Sequence, residues 1–513
     1  MINLSPRDYQ QKIFETAKNK NTLVVLPTGL GKTLIALMLS IERITKYPSK
    51  KVLILAPTRP LIEQHFNYFT KNLPELFAEM TLFTGEVNAE KRKEFFQTAE
   101  IIFSTPQCIA NDLSNRLYDM NEVVLLVIDE AHRCLKNYDY TNVVKFYKQQ
   151  AKNQRILGLT ASPGSDLSKV EEICKHLEIE EIEIRTRDSD DVKNYLQEIE
   201  FNKIEVPFPQ EFIEIKILLK RIYDSKVEQL RSRSLLFDSA NKITLLTLQS
   251  NLAKKANMKD FNAMIGMSLT AQAIKISHAI ELLETQTLSG LEDYLNSLKK
   301  QADEKKSKGV QTLVNSTEFQ AALLSLKLLR SKKIEHPKIE ELAILVEKEF
   351  KENENAKIIV FSQFRETASS IVKRLSEIKN VKPALFIGQA NKIISGLSQK
   401  EQKKVIVDFN SGEINVLCAT SIGEEGLDIP EVNAVIFYEP IPSAIRKIQR
   451  AGRTARLAPG KLFILITKDT RDVSHHYAAA AKERKMYKTI EKVKLDLHNK
   501  AKTLKDFIKN DIQ

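Results

Sequence analysis

Apolar residues between 21 and 165 come in short runs separated by amphipathic stretches. Val24-Val25-Leu26, Val52-Leu53-Ile54-Leu55, Ile101-Ile102-Phe103, Val123 to Ile128 and Ile156 to Leu159 are rich in β-branched residues and bounded by turn formers. Unbroken runs of this length suit strands covered on both faces, because polar alternation is needed only where one face meets water. They predict a parallel sheet between helices. The rhythm returns in Ile358-Ile359-Val360-Phe361, Val416-Leu417, Ala434-Val435-Ile436-Phe437 and Leu462 to Ile466. The expected fold class is therefore α/β with two parallel-sheet lobes.

Between the lobes, from about Pro207 to Arg330, glycine and proline become scarce and apolar positions recur at helical spacing, as in Phe212 to Leu219 and Ala321 to Leu329. This predicts an all-helical insertion bearing Lys220, Arg221, Lys226, Arg231, Arg233, Lys254 and Lys255. Its segment Asp303 to Gly309 reads as an exposed, mobile loop. Residues after 477 are charged and helix-prone. The expected division is a first lobe over 1–206, the insertion over 207–330, a second lobe over 331–477 and a helical tail over 478–513.

Composition narrows the partners. The 513 residues carry a net charge of +12, an excess that suits a polyanion, although a solvated lysine-rich surface gives the same number. Cys108, Cys134, Cys174 and Cys418 lie far apart with no C-x-x-C pair, which offers neither a zinc site nor a disulfide framework. The start has no apolar signal core and no run reaches the length of a membrane span. The expectation is a cytoplasmic protein, nucleoid-associated in a prokaryote, with no membrane partner.

Candidate chemistry begins at Pro27-Thr28-Gly29-Leu30-Gly31-Lys32-Thr33, between a predicted strand and a predicted helix. Glycines let backbone N–H groups wrap phosphates, the helix N-terminus favours anions, and Lys32 adds charge at the terminal phosphates. Thr33 offers a hydroxyl to Mg²⁺. Leu26 stands where the general pattern has its first glycine. About a hundred residues on, Asp129-Glu130-Ala131-His132 closes another apolar strand. Asp129 can hold Mg²⁺ through water, and Glu130 can orient and deprotonate an attacking water. The pair reads as a magnesium-dependent ATPase.

These two segments resemble motifs I and II of superfamily 2 helicases of the DEAH-box type, whose lobes are RecA-like, and the remaining motifs follow in order. Arg7-Asp8-Tyr9-Gln10 resembles the adenine-reading Q-type motif. Ala56 to Leu61, containing Arg59, resembles motif Ia; Thr84-Gly85-Glu86 and Ser104-Thr105-Pro106-Gln107 resemble the strand-tracking motifs; Thr160-Ala161-Ser162 is similar to motif III. Val360 to Gln363 resembles motif IV, Ala419-Thr420-Ser421 through Gly426-Leu427-Asp428-Ile429-Pro430 motif V, and Gln449 to Arg456 motif VI. The resemblance implies ATP contacts from Arg7, Gln10, Thr28, Gly29, Gly31, Lys32, Thr33, Gly426 and Asp428. It implies backbone contacts to nucleic acid from Arg59, Gly85, Thr105, Gln363 and Thr420. His132, Thr160 and Ser162 would couple hydrolysis to lobe movement. Gln449, Arg453 and Arg456 would reach the γ-phosphate from the second lobe.

Within the superfamily, the wording of motifs I and V and His336-Pro337-Lys338 at the head of the second lobe resemble the group of archaeal Hef, eukaryotic FANCM, Dicer's helicase part and the RIG-I-like receptors, Hef above all. In Hef and FANCM a helical insertion grips forked or branched DNA. The implied function is an ATP-dependent DNA helicase or translocase on such DNA. A double-stranded-RNA-dependent ATPase or RNA helicase is the alternative, and a scaffold with a dead ATPase core a third reading. Hef also carries a nuclease domain, but Glu483-Arg484-Lys485 is followed by Thr489 where the nuclease motif needs Asp. No nuclease activity is expected.

Overall fold

The run Val123–Ile128 is buried at every position and forms the middle strand of the first sheet. The computed structural model describes residues 5–136, 138–195, 198–257, 260–388, 397–420, 431–441, 443 and 460–510. The first lobe contains β1 (Thr22–Val25), β2 (Lys51–Leu55), β3 (Met80–Phe83), β4 (Ile101–Ser104), β5 (Val123–Ile128), β6 (Ile156–Thr160) and β7 (Glu181–Ile184), in the order β3-β4-β2-β5-β6-β1-β7. The second sheet contains β8 (Ile199–Val206), β9 (Ile358–Phe361), β10 (Pro383–Phe386), β11 (Val416–Ala419), β12 (Ala434–Phe437) and β13 (Gly460–Thr467), in the order β10-β11-β9-β12-β13-β8. Each sheet has an apolar core on both faces, as the unbroken strand runs require.

The boundary expected at 206 is corrected by β8. This strand pairs in parallel with β13 along its whole length, Ile199 against Gly460 through Val206 against Thr467. It covers the edge that β13 would otherwise leave open. Because its own outer side meets solvent, polar residues interrupt it and no apolar run announces it.

Six helices make the insertion among the described residues: Ile213–Ser232, Lys242–Ala256, Phe261–Thr285, Leu288–Asp303, Lys308–Val314 and Thr317–Ser331. The segment after Asp303 is a short exposed turn, and Lys308 and Gly309 already belong to the next helix. The insertion is bonded tightly to the second lobe. Arg471 donates to the Ser277 carbonyl at 2.8 Å and Thr367 to Gln286 Oε1 at 2.9 Å. Lys338, with no exposed side-chain surface, pairs with the equally buried Asp472 and donates to the Thr285 carbonyl at 3.2 Å. His336 caps the helix Pro337–Glu352. The His-Pro-Lys segment is thus the joint between insertion and lobe.

The tail helix begins earlier than expected, spanning Arg471–Asn510. It leaves the second lobe and returns to the first, placing Met486, Ile490 and Val493 in that lobe's core. Thr489 Oγ1 donates to the Ser165 carbonyl at 3.5 Å. Among the described residues no helix is long and apolar enough to cross a membrane.

Candidate nucleotide site and nucleic-acid face

Parallel strands end on one edge of each sheet, and loops there converge on ligands. In the first lobe β5, β6 and β1 are consecutive in the sheet, so Asp129-Glu130, Thr160-Ala161-Ser162 and the phosphate loop meet. Beyond them, β2, β4 and β3 deliver Arg59, Thr105 and Gly85 to the same edge.

The phosphate loop turns through two left-handed glycines, Gly29 at φ 88° and Gly31 at φ 76°, into the helix Lys32–Lys46. Lys32 Nζ donates to the Leu26 carbonyl at 2.9 Å. The loop is braced from behind. Tyr9 Oη and Gln10 Nε2 both donate to the Leu30 carbonyl, at 2.9 and 3.1 Å, and Gln10 Oε1 accepts from the Arg7 backbone N–H at 2.8 Å. Gln10, expected as an adenine contact, is thus buried against the phosphate loop, with capacity left on both amide atoms for a further partner.

Asp129 is buried and its carboxyl is held below the usual range. Burial pushes it up, but His65, the Lys32 ammonium and the Glu130 N–H together pull it down further. Its Oδ1 accepts from the Glu130 N–H at 2.9 Å and its Oδ2 faces His65 Nε2 at 2.8 Å. Glu130 sits in the left-handed region at φ 49°, a conformation that costs a non-glycine residue about 1 kcal/mol. His132 Nδ1 is 3.2 Å from Thr160 Oγ1 and 3.2 Å from Glu130 Oε2, and Ser162 N–H donates to Thr160 Oγ1 at 3.1 Å. His132, Thr160 and Ser162 therefore form one chain. Ser162 extends it by donating to Met486 Sδ of the tail helix at 2.7 Å.

The ionised Asp129 carboxylate and the Thr33 hydroxyl at a helix start are hard oxygen donors suited to Mg²⁺, and the nearby Lys32 ammonium suits a phosphate. Magnesium takes few protein ligands and keeps waters and phosphates for the rest. Among the described residues there is no cluster of three His, Cys, Asp or Glu that could hold a metal.

Among the residues expected to contact nucleic acid, Thr105 precedes the helix Pro106–Ser114, and a side chain at Gly85 would meet nothing within 4 Å. Arg59 is engaged within the chain. Its Nε donates to Glu63 Oε1 at 2.7 Å and its Nη1 to Glu86. Glu63 also accepts from Lys403 of the second lobe at 2.8 Å. Gln363 is exposed at the end of β9, its backbone N–H bonded to Glu439, and Thr420 follows β11 with its N–H on the Phe386 carbonyl at 3.2 Å. Gly426, Asp428, Gln449, Arg453 and Arg456 lie outside the described residues. Sequence reasoning missed His65, Glu63 and Lys403; Glu63 lies one helical turn from Arg59, whereas only the tertiary fold brings His65 and Lys403 to the site.

Known proteins match along almost the whole chain. Residues 7–170 match the DEAD/DEAH box helicase model and 337–458 the helicase conserved C-terminal domain. Residues 211–335 match a helical-bundle model provisionally described as that of an ATP-dependent RNA helicase. The crystal structure of the Pyrococcus furiosus Hef helicase domain superposes with a TM-score of 0.69 at 41% identity, covering 92% of this chain and 98% of that one. The chain belongs to the DEAD/DEAH-box helicases, in the branch of the Hef helicase domain. This Hef-type helicase chain is also 39% identical over 485 residues to a Methanocaldococcus jannaschii protein provisionally named an ATP-dependent RNA helicase. It is 34% identical over 500 residues to the ATP-dependent DNA helicase fml1 of Schizosaccharomyces pombe. Each match covers 94% of this chain, which spans 60% and 59% of those relatives.

Proposed function

We propose that this chain is an ATP-dependent DNA helicase or translocase acting on forked or branched DNA in repair or recombination, within the cytoplasm or nucleoid. The observation that carries the reading is the division of one sheet edge: nucleotide chemistry follows β5, β6 and β1, and strand-contacting residues follow β2, β4 and β3. Lys32 and the loop N–H groups hold the phosphates of ATP, and Thr33 and Asp129 hold its magnesium, Asp129 through water. Bound magnesium neutralises charge that builds on the phosphates. Glu130 orients the attacking water and accepts its proton, while His132, Thr160 and Ser162 carry the change to the rest of the lobe. Gln449, Arg453 and Arg456 act from the second lobe, and Gly426 and Asp428 complete the nucleotide contacts. Arg59, Gly85, Thr105, Gln363 and Thr420 hold the sugar–phosphate backbone, so binding is largely sequence-independent and weakens with salt.

Branch preference resides in the insertion, where Lys220, Arg221, Arg231, Arg233, Lys254 and Lys255 are exposed. The DNA helicase name of the fission-yeast relative supports DNA; the provisional name of the Methanocaldococcus relative favours RNA as the second reading. Equilibrium binding of forked DNA and duplex RNA at one salt concentration separates them. Forked DNA is expected to bind more tightly, and Arg231→Glu with Arg233→Glu to lose that preference. Tighter binding of duplex RNA overturns the DNA assignment.

A further inference from the structure

His65 occupies a core position of the helix Arg59–Asn72, whose buried residues are Ile62, His65 and Phe69. This spacing puts all three on one helix face. An apolar residue would satisfy the packing there, and a buried polar ring is costly unless a partner takes its hydrogen bond. The partner is Asp129. A carboxylate oxygen can only accept, so His65 donates from Nε2 to Oδ2 over 2.8 Å, with the two residues 5% and 6% exposed. The bond crosses the sheet where its two halves meet, since β2, which leads into this helix, lies beside β5.

The first turns of the same helix bear the strand-contacting Arg59 and also Glu63. Arg59 is held by Glu63 and Glu86, and Glu63 is bridged to Lys403 of the second lobe at 2.8 Å. These carboxylates stand where phosphates would compete for the guanidinium. One helix thus pairs with Glu86 and with the opposite lobe at one end and bonds Asp129 from its middle.

We infer that His65 is a positioning residue that orients Asp129 for magnesium and links strand occupancy at Arg59 to the nucleotide site. The inference rests on the proposed ATP- and DNA-binding function. Phosphates that take Arg59 from Glu63 and Glu86 bias the seating of the helix, and His65 passes that bias to Asp129. Close packing makes such a shift discrete rather than gradual. The coupling is reciprocal: nucleotide with magnesium must change DNA affinity by the factor that DNA changes nucleotide affinity.

The test uses the full chain with His65→Leu, which keeps bulk but removes the donor, and His65→Gln, whose amide nitrogen can restore it. One readout is binding of a fluorescent ATP analogue across a Mg²⁺ titration. The other is forked-DNA affinity with and without a non-hydrolysable ATP analogue. His65→Leu is expected to raise the half-saturating Mg²⁺ by roughly tenfold, as loss of a bond to a metal-holding carboxylate does. It should also shrink the nucleotide-dependent change in DNA affinity towards none, with His65→Gln recovering both. A wild-type Mg²⁺ requirement and affinity ratio in a folded His65→Leu protein overturns the inference. Equal loss in both variants with lowered melting temperatures assigns His65 to packing alone and also overturns it. If the wild-type chain binds neither ATP nor DNA, the underlying function fails instead, and the inference with it.

Discussion

The amide nitrogen of Gln10 lies 2.2 Å from the point where a Cβ on Gly31 would stand. Gly31 also has φ 76°, so a side chain there meets both a strained backbone and a space that the Gln10 amide fills. Gly31→Ala is expected to displace Gln10 and distort the phosphate loop. Binding of a fluorescent ATP analogue should weaken at least about tenfold, while the fold, read by circular dichroism, persists. Near-normal nucleotide binding would contradict the bracing of the loop by Gln10.

In the proposed reaction Glu130 orients water and Lys32 holds phosphate. Glu130→Gln should lower the ATPase kcat by about 100-fold or more with nucleotide and DNA binding retained, the loss typical of a missing general base. Lys32→Ala should instead weaken nucleotide binding. Steady-state kinetics with direct binding measurements separate the two.

His336 is fully buried, and burial together with the neighbouring Lys338 charge pushes its pKa down to about 3. Its Nδ1 accepts from the Lys338 N–H and its Nε2 donates to the Glu284 carbonyl, both at 3.3 Å, so the folded joint needs the neutral ring. The unfolded chain takes up this proton near pH 6.5, the folded chain not until about pH 3. Stability from this residue is therefore full above pH 6.5 and falls as pH drops from there towards 3, by up to about 1.4 kcal/mol per pH unit. Denaturant titrations at pH 7 and 5 should show a loss of about 2 kcal/mol in wild type beyond that in His336→Gln. Equal losses in the two proteins would contradict it.

Met486 has no exposed surface and lies in the first lobe's core, although it follows the second lobe in sequence. Met486→Ala should destabilise the protein by about 2–5 kcal/mol through the cavity it leaves. It also removes the partner of Ser162. A thermal shift typical of an exposed residue would contradict the seating of the tail helix.

The central strands were legible in the sequence because both faces are buried. Val123–Ile128 was read residue for residue. Edge strands were not: Met80–Phe83 is mostly part-buried and β8 alternates with polar residues. The phosphate loop and Asp129-Glu130 were legible because a fixed spacing serves fixed chemistry. His65 was not, since a lone histidine on an amphipathic helix gives no sign of the carboxylate that another strand will bring to it. The Hef-group wording at His336 to Lys338 marked a real feature, but only the fold shows that Lys338 answers Asp472 across 134 residues.

Steady-state ATP hydrolysis with no nucleic acid, single-stranded DNA, forked DNA, duplex DNA and duplex RNA tests both the motor and its substrate. Forked DNA is expected to stimulate hydrolysis most strongly. Strongest stimulation by duplex RNA would contradict the substrate, and no hydrolysis under any condition would contradict the motor itself.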